Sequence, residues 1–168
     1  LPEQEEPSSP TAAPQTAEGT LQVRYFDVGQ ADAELIQFPG GSNVLIDAGT
    51  SSTEDELIET LRSLGVETLD LVVATHPHAD HIGGMAAVIE AFDVGGVVMP
   101  RVSDSDTPTT KTYEDLLESI AEKGLSAAPA EPGAELLSED GASLTVLAPN
   151  GEDYGDLNNY SVVLRLTF

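Results

Sequence analysis

Residues 75–84, Thr-His-Pro-His-Ala-Asp-His-Ile-Gly-Gly, constrain this chain more than any other stretch. The sequence holds 3 histidines, His76, His78 and His81, and all lie in this window with Asp80 among them. Neutral imidazole and carboxylate are donors that suit zinc, manganese or iron. His76 and His78 sit two apart, so on a loop leaving a strand both imidazoles can turn toward one point. Asp80 and His81 follow at once and can face a second point beside it. Such a concentration of donors suits a two-metal site, which clamps the attacking and leaving oxygens and lowers the pKa of a bound water. The plainer alternative is a polar loop opening a helix, with Pro77 in a turn and Asp80 as a cap. A lone histidine would fit that alternative. Three with an aspartate between them favour a metal centre.

The flanks place this loop. Leu69–Ala74 is a short, mostly apolar run that reads as a buried strand. Beyond the loop, Met85, Val88, Ile89 and Phe92 fall on one face of a helix. The donors therefore sit at the carboxyl end of a strand and run into a helix, where open α/β sheets place their sites.

This arrangement resembles the metallo-β-lactamase superfamily, whose His-x-His-x-Asp-His motif follows an apolar strand. Three further segments are similar to the ComEC-type competence proteins within it. They are Phe26–Ala33 (the Asp-Val-Gly-Gln-Gly-Asp-Ala stretch, with Ala31 in place of a glycine), Val44–Gly49 (the Leu-Ile-Asp-x-Gly strand end) and Asn158–Leu164 (the Asn-Asn-x-Ser strand). The resemblance implies a mixed α/β (α+β) fold, the αββα sandwich of that superfamily. It implies a pair of divalent metal ions, manganese or zinc, held by His76, His78, Asp80 and His81. It places Asp27, Gln30, Asp32, Asp47 and Ser161 along the site, with Asp47 orienting the ligand loop. Read from its neighbours alone, Asp47 before Ala48-Gly49 serves equally well as a turn aspartate. No histidine follows His81, and Asn159 falls near the remaining ligand position. Its amide oxygen is a harder donor, which favours manganese over zinc.

The family continues with a Thr-Gly-Asp stretch and a His-His-Gly stretch that are not in this sequence. The expectation is thus a domain over 21–168 comprising its first two-thirds or so, with the remaining fragment lost or on another chain. An unpaired apolar last strand would then be an aggregation hazard. Residues 1–20 hold Pro2, Pro7, Pro10 and Pro14, four glutamates and no basic residue, and read as a disordered spacer. Such a spacer ahead of a domain resembles the stalk left after an export signal or lipid anchor. An extracellular or surface-anchored location is expected from it.

Within the domain, strands are expected at Leu21–Asp27, Ala33–Phe38 and Asn43–Ile46, joined in a meander by the Pro39-Gly40-Gly41 turn. A helix follows a capping box at Thr53–Glu56 and ends at Gly65. A strand at residues 95–100, a loop at 101–110 with Arg101 at the surface, and a helix at Thr112–Lys123 come next. Residues 131–156 carry 7 acids and no base, broken by a strand at Ser143–Leu147. Asn158, Asn159 and Ser161 open the last strand.

Thirty acidic residues against 6 basic give a net charge of −24. That balance weighs against tight, non-specific nucleic-acid binding, which needs lysine and arginine against phosphates. No apolar run is long enough to span a membrane. With no cysteine, neither disulfides nor thiolate ligands enter.

The leading functional expectation is a metal-dependent hydrolase of phosphodiesters. Asp80 would orient the attacking water or take its proton. The ComEC likeness implies a nuclease-like role in DNA internalisation outside the membrane. A second expectation is a surface phosphorylcholine esterase of the same fold, whose cationic substrate would suit an acidic surface. A third is a surface-displayed binding module without turnover, in which His76→Ala would cost no function.

Overall fold

The computed structural model describes residues 19–168. The spacer expected over residues 1–20 lies outside these, but for its last two positions. In chain order the elements are β1 (Gln22–Tyr25), β2 (Glu34–Gln37), β3 (Asn43–Ile46), α1 (Glu54–Ser63), β4 (Thr68–Leu69), β5 (Leu71–Val73), α2 (Ala79–Ile82), α3 (Met85–Ala91), β6 (Asp93–Val94), β7 (Val97–Met99), α4 (Lys111–Glu122), β8 (Ala127–Pro129), β9 (Glu135–Glu139), β10 (Ala142–Ala148) and β11 (Val163–Thr167). A 3₁₀ turn spans Leu157–Tyr160.

The larger sheet has the order β1-β2-β3-β5-β7-β8. Its first three strands form the expected antiparallel meander, with Leu35 opposite Leu45 and Ile36 opposite Val44. The turn closes with Gly41 N donating to Phe38 O at 3.0 Å, and Gly41 takes φ +108°, open to it for want of a Cβ. From β3 onward the strands run parallel. β5 and β7 read as continuous valine runs because both of their faces are covered.

All four helices pack on one face of this sheet. Leu57 and Leu61 of α1, Ile82 of α2, Met85, Val88 and Ile89 of α3, and Leu116 and Ile120 of α4 share a core with Leu35, Leu45, Val72 and Val97. The other face carries Ile36, Val44, Val73 and Val98, and meets Ala142, Leu144 and Val146 of the smaller sheet β11-β10-β9. Alternation along each strand thus feeds two cores at once. The described residues supply three layers of the expected sandwich: helices, large sheet, small sheet. Among them no helix is long and apolar enough to cross a membrane.

Several local expectations are corrected. The run Leu69–Ala74 breaks at Asp70, whose carboxylate accepts Asn43 N at 2.8 Å, so Leu69 joins β4 and pairs with β6 instead. Thr53 caps α1 without a side-chain bond to the helix, because its hydroxyl donates to Thr50 O at 3.0 Å. α4 starts earlier than expected, with Thr110 Oγ1 accepting Tyr113 N at 3.4 Å. β8 and β9 were not expected. β8 is Ala-Ala-Pro at an exposed sheet edge, where proline is tolerated. β9 lies in the acidic stretch, turned into β10 by Asp140 (φ +44°) and Gly141 (φ +86°). Asp-Gly with two positive φ values is the two-residue hairpin signal.

Asn158 and Asn159 do not open the last strand. Asp156 Oδ1 accepts Asn158 N at 2.9 Å and starts the 3₁₀ turn, while buried Tyr160 donates its hydroxyl to Asp106 Oδ2 at 2.7 Å. The strand begins only at Val163 and forms the edge of the small sheet, with Val163 and Phe168 exposed. Arg101 is a surface residue paired with Glu131 at 3.6 Å.

Leu45 lies between the meander and the helices and has no exposed surface. Leu45→Ala is expected to lower unfolding free energy by about 2–5 kcal/mol, read from the midpoint of urea denaturation.

Candidate functional site

β5 delivers the ligand loop and Asp47 receives it. Asp47 ends β3 at φ +56°, a left-handed conformation that aspartate tolerates better than most residues, and its side chain is buried. Its Oδ1 accepts Thr75 N at 2.8 Å. Its Oδ2 accepts the Thr75 hydroxyl at 2.6 Å and lies 2.7 Å from His81 Nδ1. Backbone bonds fix the surroundings: Asp47 N to Val73 O, Ala48 N to His81 O, Asp32 N to Asp80 O and Gly49 N to Asp32 O. The loop therefore sits between the Asp32 and Asp47 turns.

These contacts assign the imidazoles. His81 donates Nδ1–H to Asp47, which leaves Nε2 facing outward. That Nε2 lies 3.6 Å from Asp32 Oδ2 and 3.8 Å from Asp80 Oδ2. The rings of His76 and His81 are 4.0 Å apart, and those of His76 and His78 are 4.9 Å apart. His76 thus neighbours His81 more closely than His78, and the expected pairing of His76 with His78 at one point is not the tightest contact. Its Nδ1 faces Thr75 Oγ1 at 3.1 Å and Ser161 Oγ at 3.4 Å. Its Nε2 is buried and has no hydrogen-bond partner.

Electrostatics separate the two rings. Burial pushes the His76 pKa down, and His81 and His78 add to this. The Asp47 hydrogen bond pulls the His81 pKa up, against burial. Burial thus favours the neutral form of His76, while the Asp47 contact favours the charged form of His81.

The residues fit a divalent ion on donor chemistry and on that orphaned nitrogen. A buried polar atom without a partner costs about 1–3 kcal/mol, and a ligand at Nε2 would remove the penalty. Among the described residues no three His, Asp or Glu side chains already enclose a common point. Asp32 and Asp80 are exposed, so their side chains are free to turn inward.

A cavity of about 210 Å³ opens over the site, lined by Asp32, Glu34, Asp47, His76, His81 and Ser161 among others. Of the expected ligands His78 and Asp80 do not line it, and neither do Asp27, Gln30 and Asn159. Exposed Asp27 accepts Gly29 N at 3.3 Å and borders a separate hollow with Thr53 and Leu57. Gln30 and Asn159 are exposed, Asn159 because the 3₁₀ turn carries it outward. The expected ligand role of Asn159, and with it the argument for manganese over zinc, has no geometric support.

Residues 26–166 match the family profile described as the metallo-beta-lactamase superfamily. The chain belongs to that superfamily. It is 28% identical over 160 residues to ComE operon protein 3 of Bacillus subtilis (strain 168), covering 85% of this chain and 20% of that protein. It is 34% identical over 115 residues to the anti-Pycsar protein Apyc1 of Bacillus phage BSP38, covering 63% of this chain and 40% of that one. The chain therefore spans less than half the length of these relatives. Among solved structures, the subclass B3 metallo-beta-lactamase BJP-1 of Bradyrhizobium japonicum superposes with a TM-score of 0.59 at 18% identity, covering 92% of this chain and 59% of that one. The expected superfamily, the ComEC-type likeness and the fold class all stand.

In this superfamily member, sequence reasoning missed Glu34. It opens β2 opposite Ile46, so strand alternation turns its side chain to the cavity. The Ala33-Glu34-Leu35 alternation held that signal. Burial raises the Glu34 pKa, and the carboxylates of Asp32 and Asp47 raise it further.

Two titrations follow for metal-free protein. The raised Glu34 pKa means the folded state holds that proton more tightly, so stability falls as pH rises from about 4.5 through the folded value. Glu34→Gln should melt higher than the parent at neutral pH, and the gain should vanish below about pH 4.5 in thermal melts. For His81, the raised pKa gives stability that is full below about pH 6.5 and lost as pH rises through the folded value. Asp47→Asn keeps a residue that tolerates positive φ but removes the charge. It should move the His81 NMR titration downward and flatten that part of the pH–stability curve.

Proposed function

We propose that the chain carries the ligand loop of a metal-dependent hydrolase acting on phosphodiesters, in DNA or in a surface polymer. The single observation that carries this reading is the buried, unpartnered Nε2 of His76, on a ring packed 4.0 Å from that of His81 and 4.9 Å from that of His78. Two divalent ions, manganese or zinc, would be held by His76, His78, Asp80 and His81. When bound, such ions lower the pKa of water and neutralise charge on a phosphoryl group. The chain's own residues do the rest. Asp47 fixes the imidazole of His81, and Asp80 orients water or holds its proton at the carboxylate. The glycines let the loop pack tightly: a methyl on Gly84 would sit 2.5 Å from Ala48 O.

The ComEC-type resemblance, with the similarity to ComE operon protein 3 over 85% of this chain, is the ground for proposing a role in DNA internalisation for the whole protein. The Pro- and Glu-rich composition of residues 1–20 supports an extracellular or cell-surface location. A second reading, a phosphorylcholine esterase, is favoured by one observation: Asp32 and Glu34 present carboxylates in the cavity, where a cationic headgroup would be attracted.

Elemental mass spectrometry on purified protein, beside a His78→Ala version, tests the metal. Stoichiometric manganese, zinc or iron that is lost in the variant is the expected result. A chain that takes up none of these ions after incubation with each would overturn the reading. With metal loaded, hydrolysis of DNA or a chromogenic phosphodiester supports the first substrate class, and hydrolysis of phosphorylcholine esters alone supports the second.

A further inference from the structure

We infer that Thr75 is a positioning residue that sets the tautomer of His76, passing on the charge of Asp47. The Thr75 hydroxyl has one proton. Asp47 Oδ2, at 2.6 Å, is the strongest acceptor it reaches and takes that proton. What Thr75 then offers His76 Nδ1, at 3.1 Å, is a lone pair. The second group near Nδ1 is Ser161 Oγ at 3.4 Å, and Ser161 directs its own proton to Asn158 O at 2.6 Å. Both hydroxyls beside Nδ1 have therefore committed their protons elsewhere. An unprotonated Nδ1 would face two acceptors with no hydrogen between them, so Nδ1 must carry the proton.

The consequence falls on the far side of the ring. With the proton on Nδ1, the Nε2 lone pair is free, and that nitrogen is the buried, unpartnered one. A single carboxylate oxygen, Asp47 Oδ2, thus fixes two rings: His81 directly at 2.7 Å, and His76 through the Thr75 hydroxyl. The Thr75 backbone is held independently, with its N–H on Asp47 Oδ1 and its carbonyl accepting Val162 N at 2.8 Å. Removing the hydroxyl therefore leaves the loop path supported, and Asp47 Oδ2 keeps its contact with His81. The inference rests on the metal reading only for its consequence, since orienting partners of metal-bound histidines strengthen binding roughly 10- to 100-fold.

The test uses chelator-treated full chain, at a pH where His76 is neutral, with long-range ¹⁵N–¹H correlation reading which nitrogen carries the proton. In the parent and in Thr75→Ser, His76 should be protonated at Nδ1. In Thr75→Val, which keeps the shape, the Nε2–H form should gain population. Zinc and manganese affinity by calorimetry should fall roughly 10- to 100-fold in the valine variant and be restored in the serine variant. An Nε2–H tautomer in the parent overturns the proposal, and that reading needs no variant to fold. An unchanged tautomer in Thr75→Val overturns it as well. If the parent shows the Nδ1–H form but binds neither ion, the metal reading fails while the role of Thr75 stands.

Discussion

The site depends on one buried carboxylate held in a backbone conformation that few residues accept. Asp47 sits at φ +56° at the end of β3, and both its oxygens are spent on the next parallel strand's loop. β3 and β5 are neighbours in the sheet, so the carboxyl ends of both strands meet there. A shorter side chain at this position would leave the Thr75 N–H, the Thr75 hydroxyl and His81 Nδ1–H without acceptors, and an amide would offer one accepting oxygen in place of two. The order of the sheet thus becomes the order of the site.

Around that anchor the backbone does the stapling. The Asp32 turn donates to Asp80 and accepts from Gly49, while Ala48 donates to the carbonyl of His81. Three segments far apart in sequence are therefore fixed before any side chain reaches toward an ion. The glycines of the loop belong to the same constraint. A methyl at Gly83 would collide with the Ala79 carbonyl and lie 2.7 Å from Ser51 N, so α2 packs against the turn after β3 only because nothing is there. The donor loop owes its shape to close backbone approach as much as to its ligands.

What could be read from the sequence was what is local. The valine-rich strand, the histidine cluster and the face made by Met85, Val88 and Ile89 all lie within one short window, where periodicity carries the information. Asp47 was legible through the motif at the end of its strand. Glu34 was not singled out, because its importance comes from β2 lying beside β3 and from which face of the strand meets the cavity. The relay through Thr75 was also hidden, since it depends on where two hydroxyl protons go. Asn159 is the opposite case: its motif position suggests a ligand, while the Asp156-capped turn leaves it exposed. β9 was lost among acids although Asp140-Gly141 marked the hairpin.

The charge distribution narrows the proposed chemistry further. Asp32, Glu34, Asp47 and Asp80 surround two imidazoles in a chain of net charge −24. Such a setting draws divalent cations and repels polyanions at distances up to the Debye length, about 8 Å at physiological salt. On the proposed reading, attraction for a phosphodiester comes from bound ions at short range, since the outer surface offers little cationic help. That arrangement favours recognition of one phosphoryl group at a time over tracking along a nucleic-acid backbone, where several lysines or arginines would be needed. The 6 basic residues are scattered through the chain, and Arg101 is already paired with Glu131. A long nucleic acid as substrate would therefore require cationic surface supplied by something other than this domain's own side chains.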